Sequence, residues 1–117
     1  MKQSIKTIVA IGALALSATA VTAANADVIR VALVTAESPA DFDNNAALLP
    51  EYSALLSKGN GVKNVSVFAD PAKMIIGTSS VWSSEADAKA VTDSAEWKAV
   101  VAKQKAKALN IGIYQVK

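Results

Sequence analysis

Residues 62–82 read VKNVSVFADPAKMIIGTSSVW, two apolar runs with only Asp70-Pro71-Ala72 between them. From Val62 to Ala69, Val65 and Val67 alternate with Asn64 and Ser66, the period of a strand with one face in solvent. Lys73 to Trp82 (KMIIGTSSVW) is a second run of strand-forming residues. Aspartate and proline between them make a turn, and so short a connection predicts an antiparallel hairpin.

Upstream, Lys58-Gly59-Asn60-Gly61 is a helix stop followed by a turn. The segment before it, from about Ala40 to Ser57, places Phe42, Ala46, Leu49, Ser53 and Leu56 on one stripe at three- and four-residue steps. Pro50 interrupts that stripe, so the helix either bends there or restarts as a second short helix. Before it, Val28 to Thr35 (VIRVALVT) reads as a buried strand with a single charge, Arg30, and Glu37-Ser38-Pro39 ends it. Downstream, Ser84 and Asp87 form an S-x-x-D capping box opening a helix over roughly Glu85 to Val91. Asp93-Ser94 offers a second cap. The helix it opens, Ala95 to Ala108, puts Trp97, Val100, Val101, Gln104 and Ala108 on one side. Ile111 to Val116 supplies a last strand. The order β-α-β-β-α-β predicts an α+β, ferredoxin-like fold: a four-stranded antiparallel sheet with the helices on one face.

The first 26 residues have a different character. Lys2 and Lys6 precede an apolar core, Ile8 to Leu16, and Ala24-Asn25-Ala26 closes the segment. That order predicts a secretory signal peptide over residues 1–26 and a single domain over 27–117. The apolar core is well short of the ~20 residues that span a bilayer. With no cysteine to carry a lipid, the expectation is a periplasmic or secreted protein with no membrane attachment after cleavage.

Two of the 12 basic residues lie in that leader, so the remainder balances the 10 acidic ones, and the sequence pI near 8.9 describes the whole chain. A neutral domain whose late lysines spread along one helix and the tail predicts no nucleic-acid partner. The absence of cysteine excludes disulfides, thiolate catalysis and thiolate metal sites. The absence of histidine removes the commonest general base and metal ligand, and with it any Ser-His-Asp arrangement. Asp41-Phe42-Asp43-Asn44-Asn45 lacks the glycine and bidentate glutamate of a calcium loop and reads as a polar helix N-terminus. No metal and no cofactor is expected.

A strand ending in Trp82, then Ser84-Glu85-Ala86, then Asp93-Ser94-Ala95-Glu96-Trp97, resembles the dimeric α/β-barrel superfamily. The similarity is to its antibiotic-biosynthesis-monooxygenase-like (ABM) domains. In element order it covers nearly all of residues 28–116; in motif it covers 81–97. The resemblance implies two ferredoxin-like protomers packed sheet against sheet as a homodimeric barrel, each with a pocket between its own sheet and helices. It also implies cofactor-independent oxidation of hydroxylated aromatics or, in one branch, haem breakdown. The haem branch uses an asparagine on the first strand, a tryptophan matching Trp82 and a histidine on the next helix. Neither the asparagine nor the histidine is present, so the resemblance does not extend to haem degradation.

The candidate ligand contacts are Trp82, Tyr52, Tyr114 and Phe42; no catalytic residue can be named. Trp82, at a strand end beside a helix cap, either stacks on a flat ligand or plugs the seam between sheet and helix. Trp97 reads as helix-on-sheet packing. The two phenols, Tyr52 and Tyr114, are potential hydrogen-bond donors to a ligand or satisfied structural hydroxyls. The function expected is binding of a small apolar or aromatic molecule, with monooxygenation of hydroxyaromatic or quinol-type substrates as its possible chemistry. The alternative is a non-catalytic ligand-binding or protein-interaction module, including use of the fold as a protease inhibitor.

Overall fold

The computed structural model of the chain describes residues 27–116. Its elements are β1 (Val28–Thr35), α1 (Pro39–Ala46), α2 (Leu49–Ser57), β2 (Val62–Asp70), β3 (Ile75–Trp82), α3 (Glu85–Thr92), α4 (Ala95–Val101) and β4 (Ala108–Gln115). The strands form one sheet in the order β2-β3-β1-β4, every neighbouring pair antiparallel. That is the ferredoxin-like arrangement, with each crossover carrying two short helices instead of one long one.

Pro50 accounts for the first division. It stands at the N-terminus of α2, where a missing N–H removes no helical bond, and the chain turns at Ala47-Leu48 before it. Serines set the other starts. Ser38, Ser84 and Ser94 each accept a hydrogen bond from the backbone N–H three residues on, at 3.1–3.2 Å. Of the two residues offered at the second break, Ser94 caps α4, while Asp93 ends α3.

The last helix differs most from expectation. α4 stops at Val101 instead of Ala108, and Ala108–Gln115 extends along β1. The reason lies across the fold, in two asparagines of α1. Buried Asn45 donates to Lys105 O (3.0 Å) and accepts from Lys105 N (2.8 Å), while Asn44 donates to Lys103 O (2.9 Å). Main-chain groups that would extend the helix are thus held in an irregular segment, and Lys107 N donates to Thr35 O to start the β1–β4 pairing.

Register fixes the two faces of the sheet. Val28, Arg30, Ala32 and Val34 alternate on the helix side of β1, and all four are buried. Arg30 lies opposite Ser80 on β3 and Ile113 on β4; Ala32 lies opposite Thr78 and Ile111. The core forms where α1, α2 and α3 cover this face, around Leu56, Ile76, Trp82 and Ala88. The other face carries Ile29, Val31 and Leu33 of β1, with Phe68 and Tyr114 exposed on the flanking strands. Among the described residues no helix is long and apolar enough to cross a membrane. The signal peptide expected over 1–26 lies outside the described residues.

Candidate functional site

Because α4 ends early, the helix layer does not close over the β1–β4 half of the sheet. A cavity of about 400 Å³ opens there, a volume suited to one small ligand. Its floor is the helix side of the sheet: Arg30, Ala32 and Val34 of β1, Thr78 of β3, and Ile111 and Ile113 of β4. Its roof is Tyr52 of α2, Trp97 and Val101 of α4, and Gln104 of the segment that the asparagines hold. Aliphatic and aromatic carbon therefore makes most of the wall.

The polar groups are few and well placed. The Tyr52 hydroxyl donates to Gln104 Oε1 at 2.7 Å, and the Tyr52 ring meets Trp97 at 4.9 Å between centroids, tilted by 56°. The Arg30 guanidinium lies over the Trp97 ring, 5.2 Å from its centroid, a cation–π contact. Arg30 is only 5% exposed, yet its Nη1 has no hydrogen-bond partner, and neither does the buried Oγ1 of Thr78. Burial lowers the Arg30 pKa, and the neighbouring Tyr52 partly offsets this. The guanidinium still stays protonated at any physiological pH. Burial also pushes the Tyr52 phenol up to about 12, the Glu51 carboxylate adds to this, and Arg30 opposes it. Tyr52 is thus a neutral donor at neutral pH and no general base. Among the described residues lining the cavity there is no carboxylate, and the chain has no histidine. The described residues contain no cluster of metal-ligating side chains.

Of the four aromatic candidates, only Tyr52 lines the cavity. Trp82 is completely buried, its indole N–H donating to Ser80 Oγ at 2.8 Å. Its ring is packed against Gly59 and Val91; a Cβ added at Gly59 would come within 2.5 Å of the ring edge. Trp82 is therefore a core residue that fills the seam between sheet and helix. Phe42 is buried in the same core beneath α1. Tyr114 points from the opposite face of the sheet, exposed, its phenol lying over Gly112. Trp97, read from its spacing as packing, does pack, but it is also a cavity wall. Arg30, Thr78 and Gln104 were not among the sequence candidates. The available signal was Arg30, a lone charge in phase with the buried side of an aliphatic strand.

No protein-family profile and no curated protein matches the sequence. Solved structures do match. The cofactor-independent oxygenase SnoaB from Streptomyces nogalater is 14% identical at a TM-score of 0.62, over 79% of this chain and 94% of its own. A candidate antibiotic biosynthesis monooxygenase from Caulobacter crescentus is 14% identical at a TM-score of 0.68, over 80% and 92% of the two chains. One from Deinococcus radiodurans is likewise 14% identical at 0.68, over 77% and 92%. The fold is the ABM-like one. At this level of identity the likeness extends to the ABM-like backbone arrangement, and the side chains of the cavity have to be read from this chain itself.

Proposed function

We propose that the protein is an exported homodimer whose protomers each bind one small apolar or aromatic molecule in the cavity between the sheet and α4. The observation that carries this reading is the cavity itself: about 400 Å³, walled by Trp97, Val34, Val101, Ile111 and Ile113, with a few inward polar groups. Binding there desolvates the ligand and orders it against the Trp97 indole. A titration followed by tryptophan fluorescence tests the proposal. Trp97 touches the cavity and Trp82 does not, so quenching by aromatic ligands should vanish in Trp97→Phe. Flat titrations across a panel of hydroxyaromatic, quinol-type and aliphatic compounds would remove it.

Cofactor-independent oxygenation is the second reading, favoured by the fold shared with SnoaB. A phenol-type substrate and O2 would give a quinone and water, one oxygen atom entering the ring and the other leaving as water. The ring supplies the electrons; the protein's part is orientation and exclusion of solvent. The cavity lining offers no base at neutral pH, so the substrate's own acidity would have to start the reaction. Oxygen uptake over the same panel separates the readings: binding without uptake leaves a binding protein.

Association of protomers through the outer face of the sheet completes the proposal. Ile29, Val31, Leu33 and Val81 form a continuous apolar surface there, flanked by exposed Phe68 and Tyr114. Gly77 and Gly112 let those two rings lie close against the strands, where any Cβ would collide with them.

A further inference from the structure

Arg30 is a buried charge that an apolar ligand would leave alone. It is 5% exposed at mid-strand, and its neighbours on the same face of β1 are Val28, Ala32 and Val34. The ion pairs found among the described residues, Lys63–Asp27 and Lys103–Glu51, lie at the surface and do not involve it. Buried charges in proteins are ordinarily paired, because an unpaired one forfeits its hydration with nothing in return. The Trp97 ring covers one face of the guanidinium, but a π face does not use the in-plane N–H donors. Nη1 is left over, and so is the Thr78 hydroxyl. The two belong to adjacent strands on the same face: Arg30 is opposite Ser80, and Thr78 is one alternation further, opposite Ala32. Diagonal neighbours of this kind are roughly 7–8 Å apart, within the reach of an arginine side chain. Both residues line the cavity, and no carboxylate of the described lining competes for them.

We infer that the ligand is an organic acid, its apolar or aromatic body against Trp97, Ile111 and Ile113 and its single carboxylate drawn to the Arg30 guanidinium, with Thr78 beside it on the neighbouring strand. This rests on the reading of the cavity as a ligand site and names the class of ligand it takes. A carboxylate is planar and offers two oxygens, which suits one guanidinium edge and one hydroxyl. A doubly charged phosphate would need a second buried cation, and the other cation of the lining, Lys98, is exposed at the rim. Lys98 instead favours the approach of an anion from solvent. A neutral quinol would leave the guanidinium uncompensated.

Calorimetric titration of the purified protein with 2-naphthoate and with decanoate, each beside its methyl ester, tests the inference. At neutral pH at least one acid should bind tenfold or more tighter than its ester. Arg30→Met should abolish the preference, bringing that acid down to the affinity its ester has for the same variant. Thr78→Val, on the neighbouring strand, should narrow the acid-to-ester ratio about threefold or more; it gives the same reading should Arg30→Met fail to fold. Esters that bind as well as the acids would overturn the acid while keeping the cavity as a ligand site. An acid preference that survives Arg30→Met would overturn the role of Arg30. Absence of binding by all four compounds would overturn the cavity reading and the inference together.

Discussion

Tyr52 joins the two parts of the cavity roof, since its hydroxyl holds Gln104 and its ring holds Trp97. Burial raises its pKa to about 12, above the ~10 of an unfolded tyrosine. The unfolded chain therefore loses this proton first as pH rises. The contribution of Tyr52 to stability is fully present below about pH 10 and is lost as pH climbs towards 12. Tyr52→Phe should remove that component, so the stability difference between wild type and variant should shrink over this range. At pH 7 the variant should be less stable by about 1 kcal/mol, the value of one hydrogen bond, measured by urea denaturation. A pH-independent difference would show that Tyr52 is not the group responsible. Among single residues, chemistry was easier to read than direction. The lack of histidine and cysteine is decisive in the sequence alone, whereas Trp82 and Thr78 lie on the same side of the same strand with opposite fates. Gly59 and Val91 close over Trp82, whereas Thr78, also buried, borders the cavity with its hydroxyl unpaired.

Among the elements, starts were legible because they depend on local chemistry. A serine side chain reaching three residues ahead, or a proline without an N–H, acts within one turn of backbone, and Pro50, Ser84 and Ser94 mark helix starts found; Ser38, read from sequence only as the end of the first strand, proves to be the N-cap of α1. The end of α4 was not legible. Val101 to Ala108 keeps a helical spacing and good helix formers, and what stops it is Asn45, some 60 residues away in sequence. Asn45→Ala should cost about 2–3 kcal/mol, since it deletes two hydrogen bonds and leaves the Lys105 amide without its partner. For a domain of this size that corresponds to a fall in melting temperature of roughly 10 °C or more. Amide hydrogen exchange should show lost protection at Lys105 and in the segment carrying Gln104. A variant with unchanged exchange there would mean that β1–β4 pairing alone ends the helix.

For the whole molecule, the outer face of the sheet presents Ile29, Val31 and Leu33 between exposed Phe68 and Tyr114. A small domain without crosslinks has little core to spare, and association is one way to bury more apolar surface. Val31 lies at the centre of that face, between Ser79 and Gly112 on the adjoining strands. Val31→Lys should reduce the mass measured by light scattering from that of a dimer to that of a single chain, with the cavity on the other face still able to bind ligand. A wild-type protein that is already monomeric at micromolar concentration would remove the assembly proposal and leave the ligand site standing.

The sequence by itself determined the element order, the antiparallel hairpin, the position of most caps and the reactions excluded for want of histidine and cysteine. Each of these follows from residue type or from contacts within a few positions along the chain. Tertiary structure alone decided which residues meet an open space. Alternation along a strand names a face but not what lies above it, and that depends on where distant elements stop. Asn45 stops α4, the shortened helix layer leaves Arg30 and Thr78 beneath a cavity, and Gly59 admits the Trp82 ring to the core.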